Sequence, residues 1–262
     1  LFRSSFGQFL MVPVEGWLIA SLGWQQALLA LSMAVLLIIP LAFGLREPGF
    51  QGAAPPKRDQ TIGHALREAF SYPSFNLLMA GYFVCGFQVV FIGVHMPSYL
   101  RDNGLSPQVA SYALALIGLF NVFGTYIAGT LGQRMPRRFI LSFIYLARAV
   151  AISVFLLVPL SPLSVYIFSA VMGTLWLSTV PPTNATIAQI FGVQHLSMLG
   201  GFVFFSHQLG SFMGVWLGGY LYDATGSYDI VWYIAIGLGV LAGLVNLPIK
   251  EAPIQRAQPQ AA

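Results

Sequence analysis

Charged residues are scarce in this sequence of 262 residues, in which Asp, Glu, Lys and Arg together make up only 8%. A soluble domain carries about a quarter of its residues charged, and it needs them to cover its surface. The single cysteine, Cys85, excludes a disulfide framework and any metal site built from several thiolates. The composition therefore excludes a water-soluble enzyme, a disordered chain and a collagen-like fibre.

Long hydrophobic runs dominate the sequence, and 57% of the chain is hydrophobic. A membrane-spanning helix needs about 20 such residues, and the runs are rich in Leu, Ile, Val and Phe, which favours helices over barrel strands. The sequence predicts an all-α polytopic membrane protein with about eight spans. The runs lie at 5–22, 25–45, 74–99, 107–131, 139–160, 163–190, 197–221 and 229–249.

Basic residues fall in alternate breaks, so that threading eight spans places nearly all of them on one side, which is cytoplasmic by the positive-inside rule. Tyr and Trp residues gather on the opposite side, as in an interfacial aromatic belt. We expect a multi-pass protein of the cell (inner) membrane with both ends cytoplasmic. The basic residues concerned are Arg3, Arg46, Lys57, Arg58, Arg67, Arg134, Arg137, Arg138, Lys250 and Arg256.

The spans fall into two groups separated by a polar linker, residues 46–73. Pro55 and Pro56 prevent a helix in its first part. Thr61 is expected to cap a short amphipathic helix that lies at the membrane surface, with Ile62, Leu66, Ala69 and Phe70 on its apolar face. Because the chain opens at Leu1 inside a predicted span, we expect an N-terminal portion to precede it; a signal peptide is the alternative.

Arg148 is the most informative single residue. It lies ten residues beyond Arg138, hence about 15 Å into a hydrocarbon core about 30 Å thick. A charge there costs at least about 2.5–3.5 kcal/mol on insertion scales, so it must face a polar cavity or a partner. We favour binding of an anion. A buried pair with a carboxylate is the alternative, although no acid of the last six spans lies at that depth.

Other polar residues share helix faces on neighbouring spans and predict a polar lining with Arg148 at its centre. Pro181 and Pro182 indicate that the sixth span is broken or kinked, and carbonyls freed at membrane depth are tolerated only against protein or a water cavity. Glycines that recur every four residues, such as Gly210 and Gly214, predict close helix packing. The predicted substrate-binding residues are Gln88, Asn121, Tyr145, Arg148, Trp176, Thr179, His207 and Gln208.

Three residues are candidates for proton coupling. Glu15 is the only acid inside a predicted span, and an acid in apolar surroundings suits proton exchange. The alternative for Glu15 is simple packing of a helix kinked by Pro13. His207 and His95 are the other candidates, although an intramembrane histidine is more often a hydrogen-bonded packing residue than a proton relay.

The sequence motifs do not indicate an enzyme, a cofactor site or a nucleic-acid-binding protein. The sequence contains neither HExxH nor GxSxG, and Cys85 has no obvious adjacent base, so we expect no enzyme, no cofactor and no metal. The net charge of +4 is not a signature of nucleic-acid binding. A sensor that binds a small molecule without moving it remains a further alternative.

The loop at 129–138, GTLGQRMPRR, resembles the G-x-L-x-D-R-x-G-R-R loop of the major facilitator superfamily of transporters. Gln133 replaces the acid of that loop and Pro136 replaces its second glycine. The acid normally helps to latch the cytoplasmic ends of the helices, and Gln133 breaks that pattern. The matching residues are Gly129, Leu131, Arg134, Arg137 and Arg138, and we assign Gly129, Arg134, Arg137 and Arg138 to a gating loop.

Four other stretches carry the same resemblance over the rest of the chain. GQFLMVPVEGWLIASLGW at 7–24 is similar to the fifth helix of the superfamily. GGYLYDATGSYD at 218–229, YLARA at 145–149 and SHQLGSF at 206–212 resemble its monocarboxylate-transporter-like bacterial branch. The order of two spans, a basic linker and six spans is similar to the last two-thirds of such a transporter.

The resemblance implies twelve helices in two six-helix bundles around a central cavity, with about eight helices present here. Residues 1–45 would end the N-terminal bundle, 46–73 would form the cytoplasmic linker, 74–250 the C-terminal bundle and 251–262 a cytoplasmic tail. The implied function is secondary active transport, by alternating access, of a small monocarboxylate-like anion, coupled to protons. Efflux of drugs or other neutral or amphiphilic small molecules by the same fold is the alternative.

Overall fold

The computed structural model describes residues 2–44 and 60–255, and helices make up most of them. The all-α prediction is confirmed, since no strand occurs in these two ranges. The first part of the predicted basic linker and the end of the predicted tail lie outside the described residues. The helices are α1 (Phe2–Leu22), α2 (Trp24–Leu36), α3 (Ile38–Gly44), α4 (Ile62–Ser71), α5 (Pro73–Asp102), α6 (Pro107–Leu131), α7 (Arg137–Leu157), α8 (Pro162–Leu175), α9 (Val180–Phe191), α10 (Leu196–Thr225) and α11 (Asp229–Asn246).

Six stretches of the described chain are long and apolar enough to cross a membrane, two fewer than the eight spans predicted. Four of them are single helices, α5, α6, α7 and α11, and the other two combine α2 with α3 and α8 with α9. The predicted first and seventh spans, in α1 and α10, are not among the six. α10 contains His207, Gln208 and several glycines, which lower its hydropathy, and the apolar part of α1, Phe6–Leu22, is shorter than the rest.

The predicted break in the sixth span is confirmed and lies at residues 176–179, between α8 and α9. Pro181 and Pro182 follow the break and fall in the first turn of α9. A proline is tolerated in this turn, because the first N–H groups of a helix have no intrahelical partner to lose. The prolines thus set where the second helix begins, and the four residues before α9 are left without regular helix.

α4 begins as predicted, because the Thr61 hydroxyl accepts a hydrogen bond from the His64 N–H at 3.4 Å. Ala65 and Ala69 are buried against the bundle and Leu66 packs beside them. Ile62 and Phe70, also assigned to the apolar face, are 50% and 41% exposed. The apolar face is therefore shared between the protein core and the outside of the bundle.

Close backbone contacts hold the helices in pairs, α5 with α10 and α6 with α8. A Cβ atom added at Gly210 of α10 would lie 1.9 Å from the Phe83 carbonyl oxygen of α5. At Gly124 of α6 it would lie 1.7 Å from the Thr174 carbonyl oxygen of α8. The predicted close packing through glycine is confirmed at both contacts, since no larger residue fits there without moving backbone.

The bundle has two ends of different character. At one, which we call the basic end, α6 gives way to α7 and α11 stops near Lys250 and Glu251. At the other, which we call the aromatic end, the Tyr99 ring contacts Tyr228 and Trp232, and the Tyr222 hydroxyl donates to Asp102 at 2.8 Å. These are the two sides that the sequence distinguishes by basic and aromatic residues.

Candidate functional site

The Arg148 side chain is fully buried on α7 and points at the break between α8 and α9. Its Nε and Nη2 atoms donate to the Leu175 carbonyl at 3.2 and 2.7 Å, and Nη2 also donates to the Trp176 carbonyl. The last carbonyls of a helix have no intrahelical partner, and they carry the negative end of the helix dipole. The arginine therefore caps the end of α8 at membrane depth.

Two predicted site residues lie directly against Arg148. Its Nη1 atom donates to the Gln88 Oε1 atom at 3.5 Å, and the Gln88 Nε2 atom donates in turn to the Ala235 carbonyl at 2.8 Å. The guanidinium carbon lies 5.4 Å from the centre of the Tyr145 ring, within the range of a cation–π contact. Residues of α5, α7 and α11 are thus joined around one positive charge.

The partners of Arg148 are carbonyls, an amide and a ring, and not a carboxylate. Among the described residues, the two ion pairs are Arg101 with Asp102 and Arg137 with Glu251. The pair that we considered as an alternative for Arg148 is therefore not formed in the described part of the chain. The buried charge is held by dipoles, which stabilise it without neutralising it.

Asn121 of α6 contacts the same break from another side. Its Oδ1 atom accepts a hydrogen bond from the Leu177 N–H at 2.9 Å. Thr125, one turn along α6, instead donates to the carbonyl of Asn121 in its own helix at 2.8 Å. Arg148 therefore satisfies acceptors and Asn121 satisfies a donor that the interruption of the helix has freed.

His207 of α10 belongs to a second cluster next to this one. Its Nδ1 atom lies 3.2 Å from the Gln208 Oε1 atom, and its ring centre lies 5.2 Å from that of Tyr82. The Cys85 thiol interacts with His207 and lies 3.4 Å from the Thr179 hydroxyl. The cluster links α5 and α10 to the start of α9.

A cavity of about 580 Å³ opens beside this cluster, between α5, α9 and α10. Of the eight predicted substrate-binding residues, His207 lines it, and the other seven are not among its lining residues. Sequence reasoning missed Tyr82, although its position three residues before Cys85 and six before Gln88 places all three along one helix face. The polar residues of the lining are Tyr82, Thr183, Asn184, Ser197 and His207.

The three candidates for proton coupling lie in different places. His207 borders the cavity, whereas the His95 Nε2 atom lies 3.0 Å from the Val215 carbonyl and its ring packs 5.3 Å from Tyr228 near the aromatic end. Glu15 is exposed on α1 and shares a cavity of about 290 Å³ with Arg101. The structure thus brings His207 close to Arg148 and leaves the other two outside the site.

The predicted gating loop is tied to the segment that follows α11. The Arg137 Nη1 atom lies 3.6 Å from a carboxylate oxygen of Glu251 and donates to Gln189 of α9. The N–H of Arg138 donates to the other Glu251 oxygen at 2.8 Å, whereas Arg134 is exposed. Glu251 therefore supplies a carboxylate to Arg137 and Arg138 in a loop that itself carries Gln133 instead of an acid.

The same segment contacts two further helices at the basic end. The Lys250 N–H donates to the Ser74 hydroxyl at the start of α5 at 2.9 Å. The Ile254 N–H donates to the Ile190 carbonyl near the end of α9 at 3.0 Å. Residues 247–255 therefore fasten the ends of α5, α7 and α9 to one another.

Comparison with known proteins places this architecture in a family. The family model described as Major Facilitator Superfamily matches residues 4–191 and again residues 78–262. Together, these two matches extend over nearly the whole chain. With the six apolar stretches of the described residues, they make the chain part of a multi-pass membrane protein, and they confirm the resemblance noted from the loop at 129–138.

Several curated relatives carry transporter names. The chain is 26% identical over 252 residues to an uncharacterized MFS-type transporter, YcxA of Bacillus subtilis (strain 168), covering 93% of this chain and 61% of that protein. It is 24% identical over 262 residues to monocarboxylate transporter 13 of Bos taurus, covering 95% and 59%. Against monocarboxylate transporter 12 of Homo sapiens the identity is 24% over 284 residues, covering 93% and 54%. The chain thus spans little more than half of the length of these relatives.

Proposed function

This chain belongs to the Major Facilitator Superfamily, and from that premise we propose that the full-length protein is a secondary active transporter of a small organic anion. The substrate is of the monocarboxylate class, and transport runs by alternating access and is coupled to protons. Two relatives named as monocarboxylate transporters support the substrate class. The observation that carries the proposal is the fully buried Arg148, which has no carboxylate partner among the described residues.

A buried cation held only by dipoles favours an anion nearby. Two opposite unit charges about 4 Å apart attract by about 4 kcal/mol at an effective dielectric constant of about 20. Tyr82 and His207, which line the cavity, lie within reach of the Arg148 charge. A carboxylate entering that cavity is therefore drawn towards the arginine, and it can accept two hydrogen bonds from one guanidinium.

The cavity has a size and a lining suited to a small solute. Its volume of about 580 Å³ lies within the range of about 300–1,000 Å³ that is usual for ligand sites. Tyr82, Thr183 and Asn184 offer hydrogen bonds, and His207 offers a titratable group next to the buried charge. We assign proton coupling to His207 first and to Glu15 as the alternative, since His207 alone of the three candidates borders this cavity.

The membrane arrangement follows from the same proposal. The basic end would face the cytoplasm of a cell whose inner membrane holds the protein, in accordance with the positive-inside rule. Residues 1–45 would close the N-terminal bundle and 74–250 would form the C-terminal bundle, which rocks against it. The contact of Arg137 and Arg138 with Glu251 would then lie at the cytoplasmic end, where the gating loop is expected.

Uptake of radiolabelled propionate and lactate into proteoliposomes tests the proposal with the full-length protein under an inward proton gradient. We expect the wild type to accumulate the acid and Arg148→Ala to lose about ten- to a hundredfold of the rate, as when a charged hydrogen-bonding group is removed. Arg148→Lys keeps the charge and should retain part of the activity. Equal uptake by wild type and Arg148→Ala would contradict the role of the arginine.

A carboxylate placed beside Arg148 by mutation provides a sharper test of anion binding. In Gln88→Glu, the new carboxylate oxygen would stand where Oε1 lies now, 3.5 Å from the Arg148 Nη1 atom. It would pair with the arginine and compete with an external anion, so uptake should fall, and its other oxygen would face the Ala235 carbonyl to which the Gln88 Nε2 atom now donates. Gln88→Met, which removes the amide without adding charge, is the matched control. Uptake that survives in Gln88→Glu would argue against an anion near Arg148.

Efflux of neutral or amphiphilic compounds is the second candidate, because much of the same cavity is apolar. Leu177, Val180, Val203 and Phe204 are among its lining residues. This function predicts that amphiphilic compounds, and not carboxylates, raise the thermal unfolding temperature of the purified protein. Stabilisation by propionate that disappears in Arg148→Ala would instead support the anion transporter.

A further inference from the structure

The break between α8 and α9 leaves backbone groups that two side chains from other helices satisfy. Arg148 of α7 binds the carbonyls of Leu175 and Trp176, and Asn121 of α6 binds the N–H of Leu177. Unpaired backbone groups buried at membrane depth cost several kcal/mol each. The bent shape of this span is therefore maintained by Arg148 and Asn121 and does not follow from the prolines alone.

The two sides of the break are held very differently. α8 is locked to α6, because a Cβ at Gly124 would lie 1.7 Å from the Thr174 carbonyl and one at Gly173 would lie 2.8 Å from the Ile117 carbonyl. α9 borders the cavity through Thr183 and Asn184. Because the far end of α9 is fastened at Gln189 and Ile190, a change at the break would move the start of α9, and with it this wall of the cavity, relative to α8.

The broken hydrogen bonds have alternative partners within the same span. In a continuous helix the Leu175 carbonyl would accept from the Thr179 N–H, and the Trp176 carbonyl would accept from the Val180 N–H. At present the Val180 N–H donates to the Leu177 carbonyl at 3.0 Å instead. Pro181 and Pro182 would keep the span kinked, because they lack N–H groups and their rings crowd the carbonyls four residues earlier, but the N–H groups of Thr179 and Val180 can pair with the two carbonyls once Arg148 releases them.

We propose that residues 176–179 form a hinge that Arg148 and Asn121 clamp in its bent form, and that a carboxylate in the cavity opens it by replacing the two carbonyls on the Arg148 guanidinium. The identity of the anion rests on the proposed function, whereas the clamp rests on the contacts alone. A carboxylate is a stronger, charge-assisted acceptor than a peptide carbonyl. The displaced carbonyls of Leu175 and Trp176 would pair within the extended helix, while the Leu177 carbonyl would lose the Val180 N–H and gain no backbone donor, since Pro181 stands four residues on.

This exchange couples binding to movement. A ligand shifts a conformational equilibrium only when it binds one form better than the other. Here the form with the extended helix offers the anion a guanidinium with free donors, while the bent form does not. Asn121 acts as a positioning residue, since it stabilises the bent form through the Leu177 N–H.

Distance measurement across the break tests the hinge in the full-length protein in lipid nanodiscs. Spin labels attached through unnatural amino acids at Leu163 and Val193, which are 68% and 79% exposed, report the end-to-end distance of the span without using Cys85. We expect propionate to cause a several-fold rise in a longer-distance population of the wild type. Arg148→Gln should show that population without propionate and respond no further to it.

Three further variants serve as controls for this experiment. Asn121→Ala should raise the longer-distance population in part, since one of the two clamps is lost. Thr125→Ala, which removes a buried hydroxyl of the same helix that bonds only within α6, should behave as the wild type. Arg148→Lys keeps the charge and replaces Arg148→Gln if that variant fails to fold. Its longer-distance population should lie between those of the wild type and Arg148→Gln.

The possible failures separate the hinge from the transport function. An unchanged distance distribution in both Arg148→Gln and Asn121→Ala would overturn the clamp, even if propionate is transported. A wild-type distribution that ignores propionate, in a protein that takes it up, would overturn opening by the anion. Clamp release in the variants without any uptake of carboxylates by the wild type would support the clamp and refute the proposed substrate.

Discussion

Two stretches of the chain, each 30 residues long, differ in whether their helix is continuous. α10 is one unbroken helix, Leu196–Thr225, whereas the stretch Pro162–Phe191 is interrupted at 176–179. The backbone groups of α10 are hydrogen-bonded within the helix. α10 contacts the backbone of α5 closely at Gly210, because glycine has no side chain. The interrupted stretch lacks some backbone hydrogen bonds, and Arg148 and Asn121 form hydrogen bonds with the groups left unpaired.

The difference separates contacts that cannot be exchanged from contacts that can. The seam between α5 and α10 depends on close packing, where a single added carbon meets a carbonyl oxygen and no alternative arrangement exists nearby. The break depends on polar partners, and another acceptor can take over a hydrogen bond of Arg148. The proposed transport would use both kinds of contact, a rigid seam and a joint whose partners change.

The largest expected effect comes from adding one carbon to the seam. In Gly210→Ala the new Cβ atom would lie 1.9 Å from the Phe83 carbonyl oxygen, and because this is backbone it cannot move aside alone. We expect a loss of roughly 3 kcal/mol or more in the free energy of unfolding. Thermal and denaturant unfolding of the purified protein in detergent micelles measures it.

Gly219→Ala is the matched control on the same helix, because no atom lies within 4 Å of its added Cβ atom. Alanine has the better helix propensity, so this variant should be unchanged or slightly more stable. Similar destabilisation of both variants would contradict a specific role of Gly210 in the seam.

A smaller effect is expected at the start of the interrupted stretch. The Ser161 hydroxyl accepts from the Ser164 N–H at 3.2 Å, and the Ser164 hydroxyl accepts from the Ser161 N–H at 2.9 Å, which forms a capping box for α8. α8 has only 14 residues, and its other end depends on Arg148. Ser161→Ala should therefore lower the free energy of unfolding by about 1 kcal/mol.

Ser153→Ala provides the comparison for this prediction. The Ser153 hydroxyl donates to the Ala149 carbonyl of its own helix at 2.8 Å, so its loss leaves that carbonyl in an intact helix. We expect no more than a few tenths of a kcal/mol. If the two variants unfold at the same temperature, the cap does not contribute to the stability of α8.

The smallest effect on the free energy of unfolding is expected at the ion pair between Arg137 and Glu251, near the far end of the interrupted stretch. Glu251→Gln keeps an acceptor for the Arg138 N–H but removes the charge that faces Arg137 at 3.6 Å. Because the pair is 3.6 Å long and keeps some contact with solvent, with 20% and 14% of the two side chains exposed, we expect a loss of about 0.5 kcal/mol at low salt. The difference from wild type should shrink as salt screens the pair, and a difference that is independent of salt would argue against a charge effect.

Much of the scaffold follows from local patterns in the chain. The long apolar runs predict the helices, Pro181 and Pro182 predict the interruption, and the spacing of Gly210 and Gly214 predicts a close contact. The depth of Arg148 is read from its distance along the helix to Arg138. Each of these inferences needs only the neighbours of a residue in the sequence, and the helices, the interruption and the glycine contact agree with the structure.

The partners of the polar residues could not be read in this way. Pro181 and Pro182 reveal a break but not that Asn121 and Arg148 fill it, because the atoms they bind belong to the backbone and leave no trace in residue type. Glu251 lies more than a hundred residues from Arg137, and only the packing of α7 beside α11 brings them together. Likewise, the apolar runs do not show that Tyr82 rather than Gln88 borders the cavity.

The sequence by itself determined that the chain is helical, built for a membrane, interrupted before its paired prolines and charged at one buried point. Only the tertiary structure decided that this charge meets the end of a helix instead of a carboxylate, and that the cavity is lined by Tyr82 and His207 and not by Arg148. The reason is physical. Hydrophobicity and backbone geometry act over a few residues, whereas the partner of a buried charge depends on which helices lie side by side.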